Sequence, residues 1–244
     1  MTAPLFYVAA IDGAAKEIVI EGSEAHHAVA VRRLSVGEVV AISDGRGAVA
    51  KGQVAATAPN RLTVQVQHIS HMPPPQPRLV VVQALPKGDR ADLAVSVLTE
   101  VGVDVIVPWS AQRCIVRWDA AKAERGVTKW RSTAAEAGKQ SRRPRLPVVS
   151  DLADTAAVVE LLAQGALAVV LHESSAEPLA GIPVPEFGDV VVVVGPEGGL
   201  TDEEVMAFEA VGAVAVQLGP SVLRTSTAGV VAASVLLAAT PRWS

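Results

Sequence analysis

Aromatic side chains make up only 3% of this 244-residue chain, with a single tyrosine, three phenylalanines and four tryptophans. Its core must therefore be built from the Val, Ala and Leu that dominate a sequence half hydrophobic in composition. The one cysteine, Cys114, excludes an internal disulfide and a cysteine-cluster zinc site. It reads as a small buried apolar residue and fits a reducing cytoplasm. Residues Met1–Leu5 lack a basic leader followed by an apolar core, so no signal peptide is expected. Neither a P-loop nor a G-x-G-x-x-G fingerprint is present. No repeats appear, and the only low-complexity tract is a proline run.

What is present begins with Val190–Val194, a β-branched run without polar alternation that ends at Gly195-Pro196-Glu197-Gly198-Gly199. Such a run suits a strand buried on both faces of a parallel sheet. The glycines allow a sharp turn and close approach to a ligand. Thr201 and Glu204 are spaced as a capping box opening a helix. A second unit follows: a short strand over Ala213–Leu218, a polar loop over Gly219–Ala228, and a helix over Ala228–Ala239 with Ser234 as its one polar side chain. Arg224 in that loop is the only Lys or Arg between Arg145 and Arg242.

The formal charge of −4 is uneven. Residues 113–145 carry ten Lys/Arg and three acids, a net of +7, which leaves −11 on the rest. A basic segment in an acidic protein points to a polyanionic partner. For Lys122–Lys139 a solvated helix face with its counter-charges elsewhere in the fold is the favoured reading. The compact cluster Lys139, Arg142, Arg143 and Arg145 favours nucleic-acid phosphate.

Four prolines in five residues, from Pro73 to Pro77, read as a stiff boundary. The expected division is an N-terminal domain over 1–72, a linker over 73–77 and a second domain over 78–244. Before the boundary, short strands are expected at 5–10, 17–20, 38–43, 48–55 and 61–69, with a hairpin at Asp44-Gly45 and one helix from a Ser23 N-cap to Arg33. That pattern suggests a small β-barrel. After it, strands at 78–85, 103–108 and 166–171 alternate with helices at 90–101, 118–139 and 152–164. This indicates an α/β fold with a doubly wound, mainly parallel sheet.

Several separated segments resemble one family: His26-His27 with Arg32-Arg33-Leu34 and Gly37-Glu38; Lys87-Gly88 with Glu100 and Gly102-Val103; Lys129-Trp130 with Glu136-Ala137, Gln140-Ser141 and Arg143. To these add Gly195–Gly199 and Leu218-Gly219 with Leu223-Arg224-Thr225 and Thr227-Ala228. In this order they resemble the bacterial 16S ribosomal RNA uridine-N3 methyltransferases of the SPOUT superfamily, over nearly the whole chain. The resemblance implies a PUA-like barrel, a SPOUT-type α/β domain ending in a trefoil knot, and a homodimer. It implies S-adenosylmethionine as cofactor and, as partner, 16S rRNA in the small ribosomal subunit, modified at uridine 1498 near the decoding centre. The cofactor would lie against Leu171, His172 and Glu173; Val194, Gly195, Pro196, Gly198 and Gly199; and Leu218, Gly219, Leu223, Thr225 and Thr227. Arg224 is the candidate for stabilising charge on the uracil. Glu197 is the candidate proton acceptor, with loop bracing as its alternative role. Arg32, Arg33, Lys139, Arg142, Arg143 and Arg145 would hold RNA.

His172 is expected as pocket wall, and His26 and His27 as structural or RNA-contacting; no third ligand stands near them and no metal is expected. The family commonly has Glu where this chain has Ser226. A catalytically silent RNA-binding or assembly factor therefore stays open beside the enzyme, as does a SPOUT enzyme acting on another RNA position.

Overall fold

The computed structural model describes residues 3–243, so the expected leaderless start at Met1 and Thr2, and the outermost ends of the two expected domains, lie outside the described residues. The chain forms two compact units. One comprises the residues up to Pro74 together with Gly138–Leu146; the other comprises Pro75–Ala137 and the residues from Pro147 onward.

In the first unit β1 (Leu5–Tyr7), β2 (Glu17–Glu21), β3 (Val39–Ser43), β4 (Ala48–Ala58) and β5 (Arg61–His71) form one sheet in the order β1-β3-β4-β5-β2. β1 runs parallel to β3, and the remaining pairs are antiparallel. β1 and β2 are edge strands that do not pair with each other, so the expected barrel is a curled but open sheet. Register shifts between Lys51 and Gly52 and between Val54 and Ala56 bend the long β4–β5 ribbon, as bulges do. The β3–β4 hairpin forms where expected: Gly45 and Gly47 take φ of +69° and +110°, and Asp44 Oδ1 accepts the Arg46 and Ala48 N–H groups at 2.7 and 3.0 Å. Phe6, Ile20, Ile42, Leu62 and Val64 make a small core on the concave face.

The helix expected over Ser23–Arg33 is different in kind. It is a short α1 (Gly22–His26) followed by a π-helical turn over His27–Val31, where Arg32 N–H reaches the His27 carbonyl at 2.9 Å. Glu21, not Ser23, holds the N-cap position. The β-branched Val29 and Val31 favour a tight α-turn poorly, and the wider turn still buries Ala25, Ala28 and Leu34. Residues 138–146 belong to this unit although they lie far along the chain. Tyr7 Oη donates to the Arg143 carbonyl at 2.5 Å, Ser43 Oγ to the Pro144 carbonyl at 2.7 Å, and Leu146 N–H to the Gly45 carbonyl at 2.9 Å.

In the second unit β6 (Arg78–Ala84), β7 (Val105–Trp109), β8 (Val148–Val149), β9 (Leu167–Leu171), β10 (Asp189–Val194) and β11 (Val214–Val216) form a wholly parallel sheet in the order β11-β9-β10-β6-β7-β8. The helices α2 (Arg90–Val101), α3 (Ala120–Gln140), α4 (Thr155–Gln164), α5 (Asp202–Glu209) and α6 (Thr225–Ala238) connect and cover it; α3 runs on into the residues of the first unit. α2 packs on α6, which lies on β6 and β10, while α4 and α5 pack together, α4 on β9 and β10 and α5 on β11. Covered on both faces, Val190–Val194 is at most 1% exposed, which is why that strand needs no polar alternation.

Three helix starts differ from expectation, that of α3 by only two residues, at Ala120 rather than 118. α4 opens at Thr155 because Asp154 caps it, its carboxylate accepting the Ala157 N–H at 2.9 Å. α6 opens at Thr225 rather than Ala228, so Thr225, Ser226 and Thr227 form its first turn instead of a loop. Cys114 is buried, and burial pushes its thiol pKa up, in keeping with the inert apolar role. No helix among the described residues is long and apolar enough to cross a membrane.

Candidate functional site

β11, β9 and β10 are neighbours that run in one direction, so the chain leaves all three at the same edge of the sheet. The loops that follow them therefore lie side by side at the carboxyl edge, where open parallel sheets bind ligands. Between them is a cavity of about 670 Å³. Its walls are Leu171–Glu173 after β9, Val194–Leu200 after β10 and Val216–Thr225 at and after β11, together with Arg113, Asp202 and Ala228.

The glycines of the middle loop are there for space and for backbone shape. A Cβ on Gly195 would sit 3.1 Å from Leu200 Cδ2, and one on Gly198 would sit 3.1 Å from Arg113 Cβ and 3.2 Å from its carbonyl. Gly199 has φ +72° and Gly219 φ +131°, left-handed values that a side chain would strain. The loop is then stapled at both ends. Thr201 Oγ1 accepts the Glu204 N–H at 3.2 Å and Glu204 Oε2 accepts the Thr201 N–H at 3.0 Å, completing the expected capping box. Glu204, 1% exposed, also accepts the Gln112 N–H at 2.8 Å. The neighbouring Arg113 donates to the Leu200 and Gly198 carbonyls at 2.9 and 3.4 Å. Arg113 was legible only as part of the basic segment; its place at the glycine loop comes from the β7 end lying across the sheet edge.

Fourteen of the fifteen residues expected to hold cofactor or act in catalysis line this cavity, all but Thr227. Arg224 lines it too, as the N-cap residue of α6. Among the described residues its guanidinium has no hydrogen-bond or ion-pair partner, leaving it an exposed cation at the mouth of a helix N-terminus. Thr227 is the exception: it does not line the cavity, and its hydroxyl donates to the Arg224 carbonyl at 3.2 Å, closing the first helical turn. Gln83, at the end of β6, fixes that turn from below by donating from Nε2 to the Thr225 carbonyl at 3.2 Å. Ser226 is 3% exposed in the same turn. Glu197 Oε1 accepts the Lys87 N–H at 3.2 Å and lies 3.8 Å from Arg90, so its carboxylate is already committed to the start of α2. His172 Nδ1 accepts the Ser174 N–H at 3.3 Å, which fits a wall residue held in its own turn.

The basic segment is dispersed rather than presented as one face. Lys129 pairs with Asp92 at 2.7 Å and Arg131 with Asp151 at 3.1 Å, the counter-charges expected elsewhere in the fold, while Lys122 pairs locally with Asp119 at 3.4 Å. In the first unit Lys139 pairs with Glu24, and Arg145 Nη2 donates to the Met72 carbonyl at 2.8 Å. Both serve to hold the 138–146 segment. Arg32, Arg33 and Arg142 are exposed, and Arg33 and Arg142 both have φ of +55°. These are the cations of the expected RNA set that point to solvent.

Two family models match the chain: an RNA methyltransferase domain over residues 73–237 and an RNA methyltransferase PUA domain over residues 20–67. A Mycobacterium bovis relative named ribosomal RNA small subunit methyltransferase E is 40% identical, the match covering all of this chain and 94% of the relative. Among solved structures, a Legionella pneumophila protein in complex with the bound cofactor SAM superposes with a TM-score of 0.87 at 26% identity, over 98% of this chain and 99% of that one. The ribosomal RNA small subunit methyltransferase E of Neisseria gonorrhoeae, bound to S-adenosyl methionine, gives a TM-score of 0.84 at 26% identity, over 97% and 98% of the two chains.

Proposed function

This chain belongs to the family of ribosomal RNA small subunit methyltransferase E, and on that premise we propose that it is an S-adenosylmethionine-dependent enzyme that methylates N3 of uridine 1498 of 16S rRNA in the small ribosomal subunit. The observation that carries the reading is the convergence of three loops from adjacent parallel strands on one cavity of about 670 Å³, within the range of small-ligand sites. The cavity fits the cofactor: glycines leave its floor without side chains, and backbone N–H and C=O groups can hold an adenine edge. Leu171–Glu173, Val194–Gly199 except Glu197, and Leu218, Gly219, Leu223 and Thr225 would hold it. When bound, S-adenosylmethionine supplies an already activated methyl group.

The chain's own work is to bind, orient and tune. Uridine N3 carries a proton whose pKa lies roughly two units above neutrality, so exposing the anion costs about 3 kcal/mol. Arg224, unpaired and set at the positive end of α6, stabilises negative charge developing on the uracil oxygens. Glu197 braces the loop against α2 through Lys87 and Arg90. The burial of Ser226 makes its position an internal one, so serine in place of the family glutamate is compatible with activity. Arg32, Arg33 and Arg142 contact RNA phosphate, while Lys139 and Arg145 hold the fold of the first unit.

Two further features belong to the same reading. The residues after β11 run beside the 172–188 segment, with Leu179 N–H on the Gln217 carbonyl at 3.0 Å and Gln217 N–H on the Glu177 carbonyl at 2.8 Å, before α6 returns to α2; this path supports a threaded, knotted C-terminus. Exposed apolar side chains, including Leu93, Ile115 and Val222, support a homodimer, and a ribosomal substrate implies the cytoplasm. The test is methyl transfer from labelled S-adenosylmethionine to small subunits lacking the modification, with nucleoside analysis. Label in 3-methyluridine is expected; label in a ribose-methylated nucleoside, or none despite tight subunit binding, overturns the proposal. Arg224→Ala should lower the single-turnover rate about 100-fold with cofactor affinity unchanged.

A further inference from the structure

The first unit carries a second concavity, of about 540 Å³, between the helical segment and the tip of the β4–β5 hairpin. Its walls are His26, Val29 and Ala30 on one side and the hairpin residues Thr57–Asn60 on the other. We propose that this concavity is a docking site for one unpaired nucleobase of the RNA substrate, separate from the base that is methylated. The proposal rests on the methyltransferase reading for the identity of the RNA.

Its chemistry matches a base better than a phosphate or a peptide carboxylate. The floor and sides are short and apolar: Val29, Ala30, Ala58 and the ring of Pro59. The imidazole of His26 adds a face on which a base can stack. One polar edge is present and already oriented. The Asn60 Oδ1 can only accept, so the 3.2 Å contact from His26 Nδ1 makes that nitrogen the donor. Nε2 of His26 is then left to accept, and the amide N–H groups of Asn60 to donate, which is the mixed pattern a base edge requires. Among the described residues no carboxylate lines the concavity. The nearest hairpin cation, Arg61, is occupied by Glu21 at 2.7 Å, whereas Arg32 and Arg33 directly follow the π-helical wall and are exposed. A base in the concavity would bring its flanking phosphates toward those two arginines.

Asn60 itself supplies a clean perturbation. It sits at φ +57°, a conformation glycine adopts more easily. Asn60→Gly therefore removes the amide while easing the backbone, so the variant keeps its fold. The experiment measures binding of the full-length protein to protein-free small-subunit rRNA over a series of salt concentrations, for wild type, Asn60→Gly and His26→Ala. Each variant is expected to bind about five- to tenfold more weakly, with the slope of log affinity against log salt unchanged and cofactor affinity unchanged. An unchanged slope separates base contact from phosphate contact. Unchanged affinity in both variants overturns the proposal, as does a loss confined to assembled subunits, which would make the partner a ribosomal protein. A wild-type protein that binds RNA but transfers no methyl overturns the methyltransferase reading and leaves this test intact.

Discussion

The turn that follows α6 is held by a buried ion pair whose removal makes a sharp prediction. Arg242 donates from Nη1 to Asp104 Oδ2 at 2.7 Å and to the Pro77 carbonyl at 2.9 Å, and from Nη2 to the Gly102 carbonyl at 2.8 Å and Asp104 Oδ1 at 3.2 Å. Asp104 Oδ2 also accepts the Leu79 N–H at 2.8 Å. The side chains are 13% and 6% exposed, so neither charge has water to fall back on. The pair ties the residues after α6 to the start of β6 and to the turn between α2 and β7. Arg242→Ala leaves a buried carboxylate without its cation and strips donors from two carbonyls, a loss of about 3–5 kcal/mol. With a urea m-value of about 3 kcal/mol per molar for a chain of this size, the midpoint should fall by roughly 1–1.7 M. Asp104→Asn strands the cation instead and should cost a comparable amount. The double variant Asp104→Asn, Arg242→Met removes both charges and should recover most of the loss, because an intact buried pair contributes little net stability over apolar packing. The assay is equilibrium urea unfolding by two probes at one protein concentration, since association would shift the apparent midpoint. A midpoint for Arg242→Ala within about 0.3 M of wild type, or a double variant no better than the worse single one, would refute the reasoning.

Other outcomes follow from the same geometry. Gly198→Ala must displace the Arg113 backbone and is expected to weaken cofactor binding about tenfold with little change in global stability, read by calorimetric titration. Arg142→Ala should lower rRNA affinity and reduce the salt slope by about one unit without moving the melting temperature, whereas Arg145→Ala should lower the melting temperature because its guanidinium holds Met72. Burial raises the Tyr7 phenol pKa, so the folded state holds that proton more tightly than the unfolded chain. Its contribution is intact below about pH 10 and is lost as pH rises further, and Tyr7→Phe should cost about 1 kcal/mol at pH 8 while flattening the alkaline decline in the urea midpoint.

The parallel sheet, the capping box at Thr201 and Glu204, the β3–β4 hairpin and most of the cavity wall were legible in the sequence for one reason. Each depends on local rules: a two-sided apolar strand, a side-chain cap three residues from its partner, glycine at a turn. The start of α6 was not, because Thr225–Thr227 are poor helix formers that become helical through contacts from Gln83 and from their own first turn. The π-helical turn was hidden similarly, since periodicity cannot distinguish it from a longer α1.

Sequence alone determined which segments are buried on both faces, where the glycine loops lie and which family the ordered motifs belong to, since these are properties of neighbouring residues. Tertiary structure decided which charges are free. Ten cations between Arg113 and Arg145 look like one basic surface in one dimension. In three dimensions Arg113 braces the glycine loop, Lys129 and Arg131 meet acids from other elements, and Lys139 and Arg145 fasten a distant segment onto the first unit. A charge acts on a partner only if the fold has not already paired it, and that pairing is made between residues tens of positions apart.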